Sequence, residues 1–224
     1  MSAKESNSGS CSQPSPPGDL PRLYAVTDEK VLPNTRLAPV IESVLDAGVR
    51  FLQLRFKQTP FMERLDLGFK IRKLTRRYGA LLVVNDSPEL CREISADGVH
   101  LGADDACIDE AKRVLGHSAI IGVSVYGAIE EMRRLGKGDV SYTGLLSPYP
   151  STTKEKASID LPIFKELVRE SRVPVYGIGG ITPDKVAELM DAGCYGVAVI
   201  SAIFGALDPR QAAMEFLQAL RKFD

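Results

Sequence analysis

The 224-residue chain lacks several features that would assign a protein to a class directly. Its four cysteines form no C-x-x-C pair, which argues against a zinc site or a disulfide framework and favours a reducing, cytoplasmic environment. Its 28 basic and 29 acidic side chains leave a formal net charge of -1, so no overall field favours nucleic acid or an anionic membrane surface. No apolar run approaches the roughly 20 residues that span a bilayer, and the first residues lack the charged-then-apolar order of a signal peptide. Any anion binding must therefore be local.

Composition divides the chain near residue 20. Residues 1–19 are rich in Ser, Pro and Gly and nearly free of large apolar side chains, so burial cannot offset the entropy lost on ordering them. We therefore expect a disordered tail over 1–19 and one folded domain over 20–224, a length common for a single α/β domain.

Short apolar runs alternate with segments of helical period over the rest of the chain. The runs predict eight strands, at Leu23 to Val26, Phe51 to Phe56, Ala80 to Val84, Gly98 to Leu101, Ala119 to Val125, Val140 to Leu146, Pro174 to Ile178 and Gly196 to Ile200. Helices are predicted between them, among others at Leu37 to Leu45, Phe61 to Tyr78, Ile159 to Ser171, Pro183 to Met190 and Pro209 to Arg221. One strand about every 25 residues predicts an α/β fold, the single-domain (β/α)8 or TIM barrel. A doubly wound open sheet is the rival architecture, but no G-x-G-x-x-G follows the first strand.

One helix-to-strand joint recurs three times. It reads Asp46-Ala47-Gly48, Ala96-Asp97-Gly98 and Asp191-Ala192-Gly193. Each glycine suits the left-handed residue that ends a helix, and the recurrence predicts one repeated unit, as in a barrel.

Two cations lie at the end of the second predicted strand. The alternation of Gln53-Leu54-Arg55-Phe56-Lys57 puts Gln53, Arg55 and Lys57 on one face. In a barrel, chemistry gathers at the C-terminal ends of the strands, so neighbouring cations there predict an anionic ligand. The alternative is that Arg55 and Lys57 pair with acidic neighbours, because charges that point inward are rarely left without partners.

Two carboxylates follow the next two strands. Asn85-Asp86 ends the third predicted strand, and Asp105 lies in the loop after the fourth. Carboxylates at adjacent strand ends suit a magnesium ion, which is completed by waters and ligand phosphate oxygens. The alternatives are a helix N-cap for Asp86 and a plain loop position for Asp105.

Three further stretches indicate a second anion site. Pro150-Ser151-Thr152-Thr153-Lys154 follows the sixth strand and offers hydroxyls, backbone N–H groups and an ammonium to a phosphate, although a solvated loop is the alternative. Gly179-Gly180-Ile181 follows the seventh strand, before a helix that Thr182 and Pro183 open. Val199 to Ile203 ends the eighth strand and adds N–H donors. The loops after strands seven and eight are the usual phosphate site of this barrel.

Taken together, these motifs resemble the thiamine phosphate synthase family. The resemblance runs from about Leu23 to Ile203 in matching order, and it also includes Asp97 to Gly102 and Gly122-Val123-Ser124. It implies a TIM-barrel transferase that uses Mg²⁺ to join 4-amino-2-methyl-5-(diphosphooxymethyl)pyrimidine to a thiazole phosphate, giving thiamine phosphate and pyrophosphate. It also implies a cytoplasmic enzyme with small-molecule substrates and no nucleic-acid or membrane partner, and it leaves a homo-oligomer open.

The same resemblance implies a role for each site residue. The pyrimidine diphosphate would be held by Gln53, Arg55, Lys57, Asn85, Ser124 and Lys154, of which Arg55, Lys57, Ser124 and Lys154 are the catalytic candidates. The thiazole phosphate would be held by Ser151, Thr152, Thr153, Gly180, Ile200 and Ser201. Asp86 and Asp105 would bind Mg²⁺. The implied mechanism is dissociative: the pyrophosphate leaves first, and the thiazole nitrogen captures a pyrimidine-methyl cation.

The chain departs from the family pattern at three places. Phe56 replaces an acidic residue, but alternation turns its side chain away from the site. Ser151 replaces a threonine and keeps the hydroxyl. Leu146-Ser147 replaces glycine-proline, and Leu146 lacks the freedom of glycine at positive φ, so this departure is the one that would reshape a loop.

Two alternative functions stay open. Thiazole tautomerases share the barrel, but they use a histidine two residues after the serine of the strand-five motif, where this chain has Tyr126, and they tend to lack the carboxylate found here at Asp105. The second alternative is a barrel that binds phosphate without catalysis, against which the retained metal and diphosphate residues argue. We interpret His100 as a packed structural group, His117 as a turn residue and the cysteines as small core residues.

Overall fold

The computed structural model describes residues 20–102, 107–136, 138–150 and 158–223, so the predicted tail at 1–19 lies outside the described residues. Eight parallel strands close into one barrel, in which each strand pairs with the next and the last pairs with the first. The strands are β1 (Leu23–Val26), β2 (Phe51–Leu54), β3 (Leu81–Asn85), β4 (Gly98–Leu101), β5 (Ile120–Val125), β6 (Tyr142–Leu146), β7 (Val175–Ile178) and β8 (Gly196–Val199). The predicted TIM barrel is confirmed, and the closed strand order excludes the open sheet.

Helices alternate with the strands around the barrel. They are α1 (Asn34–Asp46), α2 (Phe61–Arg77), α3 (Pro88–Glu93), α4 (Ile108–Leu115), α5 (Ile129–Arg134), α6 (Leu161–Glu170), α7 (Val186–Asp191), α8 (Ser201–Phe204) and α9 (Pro209–Leu220). Short 3₁₀ helices precede α7 (Pro183–Lys185) and follow α9 (Arg221–Phe223). Within the described ranges, no helix combines the length and the hydropathy needed to cross a membrane.

The predicted strands and helices are all present, with bounds that shift by up to three residues. β2 ends at Leu54 rather than Phe56. The prediction ran two residues too far because Phe56 is apolar and buried although it lies beyond the strand's hydrogen bonds. The helix predicted from Pro183 begins as a 3₁₀ turn, and the side chain of Thr182 makes no capping hydrogen bond. Apolar character therefore marks burial well and the ends of hydrogen bonding less well.

The buried side chains form two layers, one inside the barrel and one between strands and helices. The inner layer consists of Leu20, Tyr24, Val26, Phe51, Val83, Tyr142, Tyr176, Ala198 and Ile200. The ring centroids of Tyr24 and Phe51 lie 3.9 Å apart in a stack, and the ring of Tyr142 meets that of Tyr24 edge-on at 5.4 Å. Aromatic rings therefore fill the inside of the barrel, and full burial of a large apolar side chain such as that of Phe51 contributes about 1.5–3 kcal/mol.

Two of the three predicted glycine joints have a positive φ. The values are 115° at Gly48 and 97° at Gly193. At the third joint the positive φ falls on Ser95, at 51°, and Gly98 lies inside β4 instead. A Cβ at Gly98 would come within 2.0 Å of the carbonyl oxygen of Ile120, so this glycine allows two strands to approach rather than a helix to end.

The residues before β1 close the N-terminal end of the barrel. Leu20 is buried in the inner layer. The Tyr176 hydroxyl donates to the carbonyl oxygen of Pro21 at 2.8 Å, and the Tyr195 hydroxyl donates to the carbonyl oxygen of Leu20. These contacts fill one end of the barrel and leave the C-terminal end for chemistry.

Candidate active site

The segment that runs from β2 to the rim brings three predicted site residues to the mouth of the barrel. Gln53 is buried and reaches the inner layer, whereas Phe56 packs in the outer layer, so the predicted alternation is confirmed. The side chains of Arg55 and Lys57 are 17% and 51% exposed. This segment therefore places charge near the rim and an uncharged amide below it.

Both cations pair with carboxylates, as the alternative interpretation proposed. Arg55 forms an ion pair with Asp28, whose side chain is 5% exposed. The Nζ atom of Lys57 lies 3.2 Å from Oδ2 of Asp86. Pairing stabilises charge that is partly removed from water and fixes the direction of both cations. Asp28 contacts Nη1 of a guanidinium that has five N–H donors in all, so the pairing is compatible with a further anionic ligand.

The carboxylate of Glu29 holds the backbone of the segment that carries Lys57. It accepts the N–H groups of Lys57 at 2.7 Å, Gln58 at 2.6 Å and Thr59 at 3.1 Å. Burial alone would raise the pKa of the Glu29 carboxyl, but hydrogen bonds from Thr59, Gln58 and Lys57 outweigh it and hold the pKa below its usual value. The loop after β1 thus fixes the loop after β2.

Sequence reasoning missed three residues that hold Arg55 and Lys57 in place. Thr27 accepts the N–H of Arg55 at 3.0 Å through its hydroxyl oxygen, and Asp28 and Glu29 hold the two cationic positions. All three follow β1 directly. Their place at a strand end, where a barrel concentrates its chemistry, was the signal that could have found them.

Asp86 directly follows β3 and has a backbone conformation that is uncommon outside glycine. Its φ is 62°, and its N–H donates to the carbonyl oxygen of His100 at 2.8 Å. The alternative role as a helix N-cap is wrong, because Ser87 caps α3 through a 3.2 Å hydrogen bond from the N–H of Leu90. The Asp86 carboxylate lies beside Lys57 instead, and the preceding Asn85 is buried.

The described residues fit a magnesium ion that is held by few protein ligands and completed by waters and substrate oxygens. Among them, no group of three or more His, Cys, Asp or Glu side chains is placed to hold a metal. A magnesium ion does not need such a group, since it keeps several waters and takes one or two carboxylates together with substrate phosphate oxygens. Asp86 offers hard oxygen ligands beside a cation that also attracts phosphate, which suits that mode.

A chain of buried hydrogen bonds joins Ser124 on β5 to Gln53 on β2. The Oγ of Ser124 lies 2.9 Å from Nε2 of His100, and Nδ1 of His100 lies 3.0 Å from the hydroxyl of Tyr142. That hydroxyl lies 2.6 Å from the hydroxyl of Tyr24, to which Nε2 of Gln53 donates at 2.6 Å. All five side chains are buried. Sequence reasoning treats His100 only as a packing group and does not single out either tyrosine.

The departure at Leu146-Ser147 is accommodated within the strand and its first loop residue. Leu146 is the last residue of β6 and is not among the described residues with positive φ, so it needs none of the freedom of glycine. The Ser147 hydroxyl donates to the carbonyl oxygen of Gly179 and accepts the N–H of Tyr149 at 3.2 Å. The loop after β6 is therefore tied to the end of β7.

The ends of β7 and β8 line one cavity of about 290 Å³. Gly180, Ile200 and Ser201, three of the predicted phosphate ligands, lie together in its wall. The full lining is Pro150, Gly179, Gly180, Ile181, Thr182, Ala198, Val199, Ile200, Ser201 and Ala202. These residues offer backbone N–H groups and hydroxyls, which suit a phosphate group.

Gly180 is required here by the protein itself. Its φ is 60°, and a Cβ added to it would come within 2.1 Å of the carbonyl oxygen of Pro150. The close approach of the loop after β6 therefore requires glycine at this position.

Five predicted site residues lie outside the described residues, namely Asp105, Ser151, Thr152, Thr153 and Lys154. The others fall into three groups at the mouth. They are Arg55 and Lys57 with Asp86 and the preceding Asn85, Gln53 linked to Ser124 through the buried hydrogen bonds, and Gly180 with Ile200 and Ser201. The fold and these groups define a TIM barrel whose mouth carries paired cations on one side and a cavity lined by backbone and hydroxyl groups on the other.

Comparison with known proteins identifies the family within that class. Residues 23–203 match the family model described as thiamine monophosphate synthase. The chain is 39% identical to the thiamine-phosphate synthase of Pyrococcus furiosus over 198 residues, which cover 87% of this chain and 92% of that protein. It is 36% identical to thiamine-phosphate synthase 1 of Aquifex aeolicus over 201 residues, or 89% of this chain and 93% of that one.

A solved structure agrees with the sequence comparisons. The thiamine phosphate pyrophosphorylase from Pyrococcus furiosus superposes with a TM-score of 0.81 at 34% identity, covering 90% of this chain and 96% of that one. The chain therefore belongs to the thiamine monophosphate synthase family, as its motifs between Leu23 and Ile203 predict.

Proposed function

We propose that this chain joins 4-amino-2-methyl-5-(diphosphooxymethyl)pyrimidine to a thiazole phosphate and releases pyrophosphate and thiamine phosphate. The observation that carries the proposal is the pair Arg55 and Lys57, two cations that partner carboxylates hold over a barrel mouth. The same mouth contains a cavity suited to a second phosphate. Membership of a family whose relatives are named thiamine-phosphate synthases supports this assignment.

The pyrimidine diphosphate is proposed to bind along β2 and β5. Arg55 and Lys57 lie nearest the rim and attract the diphosphate, because a guanidinium and an ammonium both suit phosphate oxygens. Gln53 and Ser124 are buried below them and offer hydrogen bonds to the polar end of the ligand, and Asn85, which is also buried, ends β3. The depth of each side chain thus matches the polarity of one part of the ligand.

The thiazole phosphate is proposed to bind in the cavity at β7 and β8. Gly180, Ile200 and Ser201 supply backbone and hydroxyl groups there. Ser151, Thr152 and Thr153 are proposed to add hydroxyls, and Lys154 a charge facing the diphosphate. These four assignments rest on the family resemblance, because the residues lie outside the described ranges.

The proposed reaction breaks one bond and forms one. The bond between the pyrimidine methylene carbon and the diphosphate oxygen breaks, and its electron pair leaves with the pyrophosphate. The lone pair of the thiazole nitrogen then forms the new carbon–nitrogen bond. No protein nucleophile is needed, so the protein acts by orienting the two ligands and stabilising charge on the leaving group. Arg55 and Lys57 can do so without reorganisation because Asp28 and Asp86 already fix them.

Magnesium is part of the proposal, with Asp86 and Asp105 as its carboxylates. When bound, Mg²⁺ would neutralise charge on the diphosphate oxygens. The backbone of Asp86 is fixed by its N–H bond to the carbonyl oxygen of His100, and its carboxylate lies beside Lys57, so metal and ammonium would meet the same diphosphate.

Direct product detection tests the proposed reaction. The purified full-length chain, incubated with both substrates and Mg²⁺, is expected to form thiamine phosphate and pyrophosphate in equal amounts. If no thiamine phosphate forms and the thiazole tautomer is converted instead, the activity is that of the tautomerase alternative.

Calorimetry with pyrophosphate tests the metal assignment separately. Binding is expected to strengthen when Mg²⁺ is present, because a Mg²⁺ ion held by Asp86 would also take pyrophosphate oxygens as ligands. Pyrophosphate binding that is unchanged by Mg²⁺ would contradict the role of Asp86 and favour a phosphate-binding barrel without this chemistry.

A further inference from the structure

We propose that the hydrogen-bond chain Gln53–Tyr24–Tyr142–His100–Ser124 is polarised, with every proton pointing from Gln53 towards Ser124. In this arrangement His100 is a positioning residue that fixes the Ser124 hydroxyl as a donor to the bound pyrimidine diphosphate. The identity of that ligand rests on the proposed function, whereas the direction of the protons is a property of the protein itself.

The polarity is set at the Gln53 end. An amide nitrogen can only donate, so the oxygen of Tyr24 accepts from Nε2 of Gln53 at 2.6 Å. Burial raises the pKa of Tyr24 and Tyr142, so each phenol keeps one proton at neutral pH. The Tyr24 proton is then directed to the Tyr142 oxygen at 2.6 Å.

The remaining links follow from one proton per group. Because the Tyr142 oxygen accepts from Tyr24, its own proton points to Nδ1 of His100, 3.0 Å away. A neutral imidazole that accepts at Nδ1 carries its proton on Nε2, and that proton points to Oγ of Ser124 at 2.9 Å. The Ser124 hydroxyl proton is not used by the chain and is available to a ligand at the mouth.

The reversed chain is the competing arrangement, and it differs in chemistry. Turning the Gln53 amide would let its oxygen accept from Tyr24, and every proton would then point away from Ser124. The serine would donate to His100 and present only lone pairs to the ligand. The ring nitrogens of a pyrimidine and the oxygens of its diphosphate are all acceptors, so the direction that leaves the serine proton available is the one that serves binding.

A purely structural role would explain why these polar groups are paired. It would not explain why the hydrogen-bond chain ends at Gln53 and Ser124. Buried polar groups need partners wherever they lie, so pairing alone has no functional meaning. Both terminal residues, however, are ones that the family resemblance assigns to the pyrimidine diphosphate. Tyr176, in the same inner layer, satisfies its hydroxyl on the carbonyl of Pro21 at the opposite end of the barrel. The hydroxyl of Tyr176 thus has its own backbone partner, whereas the hydroxyls of Tyr24 and Tyr142 belong to a chain of hydrogen bonds that reaches Ser124.

Nitrogen NMR of the imidazoles reads the polarity directly. The chain has two histidines, so ¹⁵N-histidine labelling gives two rings, and a His117→Gln variant assigns them because His117 lies in a turn. We expect His100 to be protonated at Nε2 and unprotonated at Nδ1. A proton on Nδ1 in the neutral ring would overturn the proposal. This measurement needs no substitution among the five hydrogen-bonded residues.

A matched pair of variants links the polarity to binding. Tyr142→Phe removes one hydroxyl of the chain, and we expect loss of the single His100 tautomer and a KM for the pyrimidine diphosphate about tenfold higher, with the KM for the thiazole phosphate unchanged. Tyr176→Phe removes an equivalent buried hydroxyl outside the chain, and both properties should stay at wild-type values. Equal increases in KM for both variants, or a wild-type KM in Tyr142→Phe, would show that the chain does not position Ser124.

The two proposals fail in different ways. A His100 proton on Nε2 with no formation of thiamine phosphate would refute the proposed reaction and leave the polarity standing. Thiamine phosphate formation with the His100 proton on Nδ1 would refute the proposed polarity and support the proposed reaction.

Discussion

On the side of the mouth formed by β2 and β3, Arg55 and Lys57 each lie against a carboxylate, whereas the described lining of the cavity at β7 and β8 contains no charged side chain. A cationic site must balance its own charge before a ligand binds, so its residues occur in pairs. A site made from backbone groups needs no such balance, but it needs space, so it depends on glycine. The first side should therefore be sensitive to changes of charge and the second to changes of volume.

The largest effect on the charged side is expected from Asp86→Ala. This change removes the proposed magnesium ligand and the partner of Lys57. Loss of one group that stabilises the leaving diphosphate costs about 3 kcal/mol in the barrier, more than a hundredfold in kcat, and magnesium-dependent activity is expected to be lost. Steady-state rates over a magnesium titration measure this. Asp86→Asn is the control, because asparagine also tolerates the φ of 62° and loses only the charge. Turnover at the wild-type rate in either variant would sink the assignment.

The volume-sensitive side is tested by Gly180→Ala. Gly180 and Gly79 have φ values of 60° and 61°, but a Cβ at Gly79 meets nothing within 4 Å, whereas one at Gly180 meets the Pro150 carbonyl at 2.1 Å. Gly79→Ala should cost about 1 kcal/mol of unfolding free energy for the left-handed backbone alone. Gly180→Ala should cost about 1–3 kcal/mol more and raise the KM for the thiazole phosphate about tenfold. Urea unfolding and steady-state kinetics compare the two, and equal losses would remove the clash from the explanation.

Asp28→Asn should destabilise the protein in a way that an anion can repair. The substitution leaves the Arg55 guanidinium without its buried counter-charge, and we expect a loss of about 2 kcal/mol in unfolding free energy. Pyrophosphate should restore part of it, since the anion can take the place of the carboxylate. The control is Asp46→Asn, in an ion pair with Arg210 whose side chains are 57% and 50% exposed, where about 0–1 kcal/mol is expected. If pyrophosphate stabilises wild type and Asp28→Asn equally, Asp28 does not compensate Arg55.

The smallest effect is expected from Glu29→Gln, and it depends on pH. The folded pKa of Glu29 lies below its ordinary value of 4.5, so its contribution to stability is present above that value and is lost as pH falls through the folded pKa. The difference in melting temperature between wild type and Glu29→Gln should therefore be largest near neutral pH and shrink in acid. Glu110→Gln, on the exposed face of α4, serves as the reference. A difference that grows in acid would contradict the hydrogen-bonded carboxylate.

The face on which a side chain lies was predictable from the sequence, but the residue that it contacts was not. Alternation along β2 correctly separated Gln53 from Phe56, because a strand fixes faces through local geometry. The same rule could not tell that Arg55 would pair with Asp28, which lies 27 residues earlier and reaches it only because β1 and β2 are neighbours. Local patterns decide direction, and closure of the barrel decides contact.

Neighbouring polar residues were a second source of error. At Asp86-Ser87 either side chain could cap the following helix, and sequence reasoning gave that role as the alternative for Asp86. The structure gives it to Ser87, because Asp86 takes a positive φ and its N–H is bound to the carbonyl of His100. The hydroxyls of Tyr24 and Tyr142 were missed for a related reason, since an aromatic ring in a strand predicts packing and says nothing of where its oxygen points.

The aromatic inner layer also gives the protein a built-in spectroscopic reporter. The chain has no tryptophan and seven tyrosines, three of which, Tyr24, Tyr142 and Tyr176, pack on one another with ring centroids 5.3–5.7 Å apart inside the barrel. Rings held rigidly in one asymmetric cluster should dominate the near-ultraviolet circular dichroism. Because two of their hydroxyls lead to Gln53 and Ser124, that signal should change when a ligand binds at the mouth, without any label being added.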